Sequence, residues 1–103
     1  MDVADLPSTL EGFGTGYLLT TADGRVKVVA VDPESVDGLL LVRGPGRGST
    51  ANIVANPAVT LVFPPTVPPG FTLLVDGTAE VVDGVARVTP TSAVLHRPVG
   101  AGE

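Results

Sequence analysis

The chain has no cysteine. That absence excludes disulfides, thiolate metal sites and cysteine nucleophiles, and it fits a reducing compartment. Tryptophan is missing too, and only three Phe and one Tyr are present, so Val, Ala and Leu carry the hydrophobicity. Such a set favours strands over helices. Basic residues are scarce: six stand against eleven acidic ones, for a net charge of −5. Sequence-blind nucleic-acid binding rests on a basic face, so the balance argues against a nucleic-acid partner. One local basic pocket is still compatible with it. No apolar run reaches the roughly 18 residues of a membrane span. The start, Met1-Asp2-Val3-Ala4-Asp5, is acidic and lacks the basic and apolar parts of a signal peptide. The expectation is a cytoplasmic protein with no membrane partner. Histidine occurs once, at His96. One imidazole without Cys or a carboxylate cluster makes no typical zinc site, so no metal is expected. No Gly-x-Ser-x-Gly elbow is present, and no catalytic residue can be named.

What is present fits one small domain of 103 residues. Its core is adequate but modest. Apolar residues make up 44% of the chain and mean hydropathy is positive. That is more apolar surface than one small core needs, which points to an oligomer interface.

Residues 1–11 are polar around Pro7 and read as a flexible arm. Residues 12–98 form the folded domain, and 99–103 are a tail that frays. Gly12-Phe13-Gly14-Thr15-Gly16 has the look of a dinucleotide fingerprint, but it precedes a strand and opens no helix. Strands are expected over 17–21, 25–31, 39–43, 58–63, 71–82 and 85–89. Asp23-Gly24, Asp37-Gly38 and Asp83-Gly84 supply the turns, because Asp-Gly accepts positive φ. Alternation in the second strand puts Val26, Val28 and Ala30 on one face and Arg25, Lys27, Val29 and Val31 on the other. Four prolines in Pro64–Gly70 cannot sit in a sheet interior and make a stiff loop. Gly77 marks a bulge or bend. Pro90-Thr91 breaks the last strand, and 92–95 is either a helical turn or a short strand. Asp76 and Glu80 share a strand face, as a paired acid and base or as a solvated surface.

The segment from Gly44 to Phe63 holds the one clear helix signal. A Gly-rich loop leads to Ser49 or Thr50 as N-cap. The helix runs over 49–55, and Pro57 ends it by biasing Asn56 away from the α region. Arg43, Arg47, Ser49, Thr50 and Asn52 cluster at that helix start. Free N–H groups, hydroxyls and an Arg fork together suit a phosphate. No Lys stands where a Walker A loop requires one, so a nucleoside triphosphate is not implied.

This order of elements resembles the flavin-binding split β-barrels related to pyridoxamine 5′-phosphate oxidase. The resemblance covers about Gly16 to Arg97. It rests on the opening hairpin Gly16–Arg25, on Thr50-Ala51-Asn52-Ile53 with Asn56-Pro57-Ala58-Val59-Thr60-Leu61, on Asp76-Gly77-Thr78-Ala79-Glu80-Val81, and on the closing Thr89–Pro98. It implies a mainly β fold: a six-stranded antiparallel split β-barrel with one short helix. It also implies a homodimer with flavin mononucleotide (FMN) at the subunit interface. Carried over by position, Arg47, Ser49, Thr50 and Asn52 meet the phosphate, and Lys27, Val28 and Val29 lie along the ring. Two positions that are often basic in such proteins are Ser49 and Ala51 here. That leaves Arg47 as the single cation of the loop and implies a weaker phosphate grip.

The resemblance therefore implies a flavin-dependent oxidoreductase of unknown substrate. The alternatives are a non-catalytic carrier for flavin, haem or deazaflavin, and a cofactor-free dimer with a degenerate pocket.

Overall fold

A computed structural model describes residues 1–67 and 70–97. The 99–103 tail and two prolines of the stiff loop, at 68 and 69, lie outside the described residues. The strands are β1 (Gly16–Ala22), β2 (Arg25–Val31), β3 (Glu34–Val36), β4 (Leu39–Arg43), β5 (Ala58–Phe63), β6 (Thr72–Val82) and β7 (Val85–His96). The helices are α1 (Leu6–Leu10) and α2 (Arg47–Ala55). The strands form one sheet in the order β2-β1-β5-β6-β7-β4-β3, and every pair is antiparallel.

Among the described residues the barrel thus has seven strands rather than six. The additional one, β3, follows Asp32-Pro33, which reads as a break. Three residues are too few to show a period-2 pattern. The strand exists because Asp37 (φ 49°) and Gly38 (φ 81°) fold it back onto β4. The same turn chemistry joins β1 to β2 through Asp23-Gly24 and β6 to β7 through Asp83-Gly84, all four residues at positive φ.

Register places the core. Leu18, Leu61, Val75 and Ala93 lie opposite one another across β1, β5, β6 and β7, and all are buried. Leu40, Val88 and Ala79 continue the inner layer through β4. The last strand runs through Pro90 to His96, longer than the 85–89 expected. Asp76 pairs with Ser92 and Gly77 with Pro90, so Thr91 is an extra residue. This bulge is the one Gly77 signals, and Pro90 is tolerated there because a bulge interrupts the ladder. It also changes phase, turning Ala93 inward and Ser92 outward. A methyl group at Gly77 would lie 2.5 Å from the Thr89 carbonyl oxygen, so only glycine allows this approach.

The first eleven residues differ from a loose arm. Asp2 caps a 3₁₀ turn over Val3–Asp5, and α1 follows with Pro7 in its first turn. Leu6 is buried, and Val3 and Leu10 pack on the core. The Met1 amino group donates to the Ala93 carbonyl oxygen at 3.1 Å.

Helix α2 begins two residues earlier than expected. Its N-cap is Gly46 at φ 91°, with no side-chain cap. Neither Ser49 nor Thr50 caps it. Instead the Thr50 hydroxyl donates back to the Gly46 carbonyl oxygen at 2.7 Å. Such back-bonding adds little to a helix. Thr50→Ala should therefore stay within about 0.5 kcal/mol of wild type in a thermal melt. A loss of about 1 kcal/mol would restore Thr50 as a cap. Ser49 and Ile53 form the buried side of α2, which packs against β1 and β6.

Candidate functional site

The sheet leaves β2 and β3 as its two edges. Between them the barrel is split. A cleft of about 400 Å³ opens there, lined by Val29–Asp32 of β2, by Glu34, Leu41 and Arg43, and by Gly44-Pro45. Further along β2, a cavity of about 640 Å³ is lined by Arg25, Lys27 and Asn52 together with the β1–β2 turn. Both volumes are in the roughly 300–1,000 Å³ range of small-ligand sites. Residues 44–48 run beside β2, so the two openings follow one strand. Lys27 to Val31 spans about 13 Å.

The ends of this track differ in charge. At one end, Lys27 lies across the first turn of α2. A methyl group added at Gly48 would stand 2.8 Å from Lys27 Cε and 3.1 Å from Nζ. Arg47 is next to Gly48 and exposed. A lone cation at a helix N-terminus is opposed by the helix dipole. An anion shared by Lys27 and the free N–H groups of α2 reverses that sign. At the other end, Glu34 holds Arg43 at 3.3 Å, and the Thr15 hydroxyl donates to Asp32 at 2.9 Å.

The side chains singled out in the sequence are brought together only in part. Lys27 and Arg47 are at the first turn of α2, and Asn52, in its second turn, lines a cavity with Lys27. Asn52 donates to the buried Thr20 hydroxyl at 3.1 Å. Thr50 is half-buried and turned to Gly46. Ser49 is fully buried, and among the described residues its hydroxyl has no hydrogen-bond partner. Val28 and Val29 point to opposite faces of β2: Val28 faces outward and is exposed, whereas Val29 packs against the core and lines the cleft. Arg25 was missed, although alternation already places it on the Lys27 face. Asp76 and Glu80 do not act as a pair. They are four strand residues apart, about 13 Å, and Glu80 meets Arg87 at 3.6 Å. His96 ends β7 opposite Thr72, exposed. Among the described residues no group of His, Asp and Glu could hold a metal ion.

No family model matches the chain. Two mycobacterial proteins do: an uncharacterized protein of Mycobacterium bovis and an uncharacterized protein of Mycobacterium tuberculosis. Each is 36% identical over 114 residues, covering 94% of this chain and 80% of the relative. The chain belongs to the family of these mycobacterial proteins. Its fold is that of the pyridoxamine 5′-phosphate oxidase-like split barrels. A candidate pyridoxamine 5′-phosphate oxidase of Listeria innocua superposes with a TM-score of 0.72 at 15% identity, over 90% of this chain and 96% of that one. A FAD-binding protein of Mesorhizobium loti gives 0.74 at 16% identity, over 90% and 92%. An F420 reductase gives 0.71 at 23% identity, over 84% and 94%. No described helix of this split barrel is long and apolar enough to cross a membrane.

The Gly48 contact gives a direct test of the site. Gly48→Ala should push the Lys27 ammonium off the helix start. The displaced atoms are the far end of a flexible chain, so melting should change little. Anion affinity should fall about tenfold, the loss of one charge-assisted bond. Titration with inorganic phosphate or a phosphate-bearing ligand reads this.

Proposed function

We propose that this split barrel binds an FMN-type cofactor along the outer edge of β2 and serves as a flavin-dependent oxidoreductase. The observation that carries the reading is Lys27 laid over Gly48 at the start of α2, with Arg47 beside it. That end of the track takes the phosphate, with Arg25 and Asn52 lining the same cavity. The ring takes the split between Val29–Val31 and Leu41. A bound flavin supplies hydride and electron transfer. The chain's own residues bind, orient and screen from water. This division of labour suits the side-chain inventory, in which Asp76 and Glu80 are engaged by neighbours.

The reading includes a cytoplasmic homodimer, since the cleft lies open on one side and β2 carries exposed valines beside it. The neighbours that bind FAD or are named for F420 support a flavin-type ligand, and a deazaflavin is the second cofactor to titrate. A carrier role without turnover is the competing reading, favoured by the buried Ser49 and by Ala51 where further cations would tighten the grip.

The experiment is a fluorescence titration of the purified protein with FMN, FAD and a deazaflavin. Saturable quenching with FMN is expected. A nicotinamide donor should then bleach the bound flavin. Binding without bleaching moves the assignment to the carrier. Binding of none of the three ends the cofactor reading.

A further inference from the structure

Three charged side chains line the split: Asp32, Glu34 and Arg43. Two carboxylates and one guanidinium leave the cleft one negative charge. Arg43 is held by Glu34 at 3.3 Å, so its charge is neutralised inside the cleft. Asp32 is different. Gly16 pairs with Val31, so the β1–β2 ladder brings Thr15 to Asp32, and the Thr15 hydroxyl donates to its carboxylate at 2.9 Å. Among the described residues no Lys, Arg or His forms an ion pair with Asp32. The cations at the start of α2 are too far away to compensate it. Lys27 is five residues back, about 17 Å along an extended chain, beyond the Debye length of about 8 Å at physiological salt. The rest of the lining is apolar or bare backbone: Val29, Ala30, Val31 and Leu41, then Gly44-Pro45. One oriented, unpaired carboxylate thus stands between apolar walls.

We propose that the substrate of this protein is a small organic cation, a protonated nitrogen base on an apolar body, and that Asp32 selects it. The inference rests on the ring position proposed above, between Val29–Val31 and Leu41. A molecule stacked on that ring at the Asp32 end has water on fewer sides. An ammonium group there loses hydration that only an acceptor replaces. Asp32 supplies the acceptor, and the bond is charge-assisted. The valines and Leu41 take the apolar body. A phosphate ester or a carboxylate meets the opposite: a like charge at close range, and an Arg43 that must first leave Glu34. Such repulsion rejects the wrong ligand more effectively than a weaker attraction does. Glu34 and Thr15 are positioning residues. Glu34 keeps Arg43 occupied, and Thr15 fixes the direction of the Asp32 carboxylate.

Benzylammonium, benzyl alcohol and benzoate test this, because they share a ring and differ in charge. Each is titrated into the FMN-loaded protein, and the visible absorption of the bound flavin reports binding. Benzylammonium should bind about tenfold more tightly than benzyl alcohol, the gain of one charge-assisted bond, and benzoate should bind more weakly than either. Asp32→Asn should close the gap between ammonium and alcohol. Thr15→Val should narrow it and leave alcohol affinity as it is. Asp32→Asn combined with Glu34→Gln frees Arg43 and should make benzoate the tightest of the three, a reversal that loss of folding cannot produce. Thr15, Asp32 and Glu34 are all exposed, so melting should stay close to wild type. No binding of benzylammonium, benzoate binding as tightly in wild type, or an ammonium preference unchanged in Asp32→Asn would overturn the substrate class and leave the flavin assignment standing. Failure of wild type to bind FMN would overturn both.

Discussion

Replacing Phe63 by alanine should be the most damaging single truncation in this chain, costing about 3–5 kcal/mol. The ring is buried, edge-on to Phe13 at a centroid distance of 6.4 Å. It also rests against the bare backbone of Gly16, where a methyl group would come within 2.6 Å of the ring. For a domain of this size that loss should lower the melting temperature by roughly 15–30 °C. It is a large share of a total stability of about 5–15 kcal/mol. Phe71→Ala is the control: that ring is 48% exposed and should melt close to wild type. Gly16→Ala should cost about 1–3 kcal/mol by overpacking against the same ring. Combined with Phe63→Ala the added methyl enters the vacated space, so the double variant should be clearly more stable than the sum of the two losses. Strict additivity in chemical denaturation would mean that Gly16 and Phe63 are not coupled.

The second large effect concerns binding. Lys27→Ala with Arg47→Ala should weaken FMN binding by about a hundredfold to ten-thousandfold, the loss of two charge-assisted bonds. Each single change should cost about ten- to a hundredfold. Riboflavin makes the test specific, because it carries the ring without the phosphate. Wild type should prefer FMN strongly, and the double variant should bind the two alike. Stability without ligand should be unchanged or slightly higher, since removing Lys27 relieves a cation held against the positive end of α2. The FMN preference of wild type should also shrink as salt rises, because exposed charges are screened. Equal loss of riboflavin and FMN in the double variant would place these cations away from the phosphate.

Much of the fold is written in short-range signals. Three Asp-Gly turns fix the hairpins, because few other pairs accept positive φ at both positions. Alternation in β2 separates Val26, Val28 and Ala30 from Arg25 and Lys27, and the structure keeps that separation. Gly77 announces the bulge. Pro57 ends the helix because the residue before a proline leaves the α region. Cysteine is absent and cationic charge scarce, which by composition alone argues against disulfides, thiolate chemistry and a broad basic face.

Tertiary contact decided the rest. Three-residue β3 has too little pattern to be seen alone and forms because β4 is there to pair with it. Pro90 breaks a strand by local rules, yet β7 passes through it at the bulge opposite Gly77. The N-terminal residues fold because Leu6 finds the core, a long-range event that polar composition hides. Helix α2 starts at Arg47 rather than at a hydroxyl cap because Gly46 adopts positive φ. The site shows the same division. Residue types at 44–52 suit an anion, and the family resemblance sets Lys27 along the ring instead. Folding lays its side chain over Gly48, 21 residues on, because the loop after β4 runs back along β2. Local chemistry fixes turns and strand faces. Only the closing of the barrel determines which faces meet.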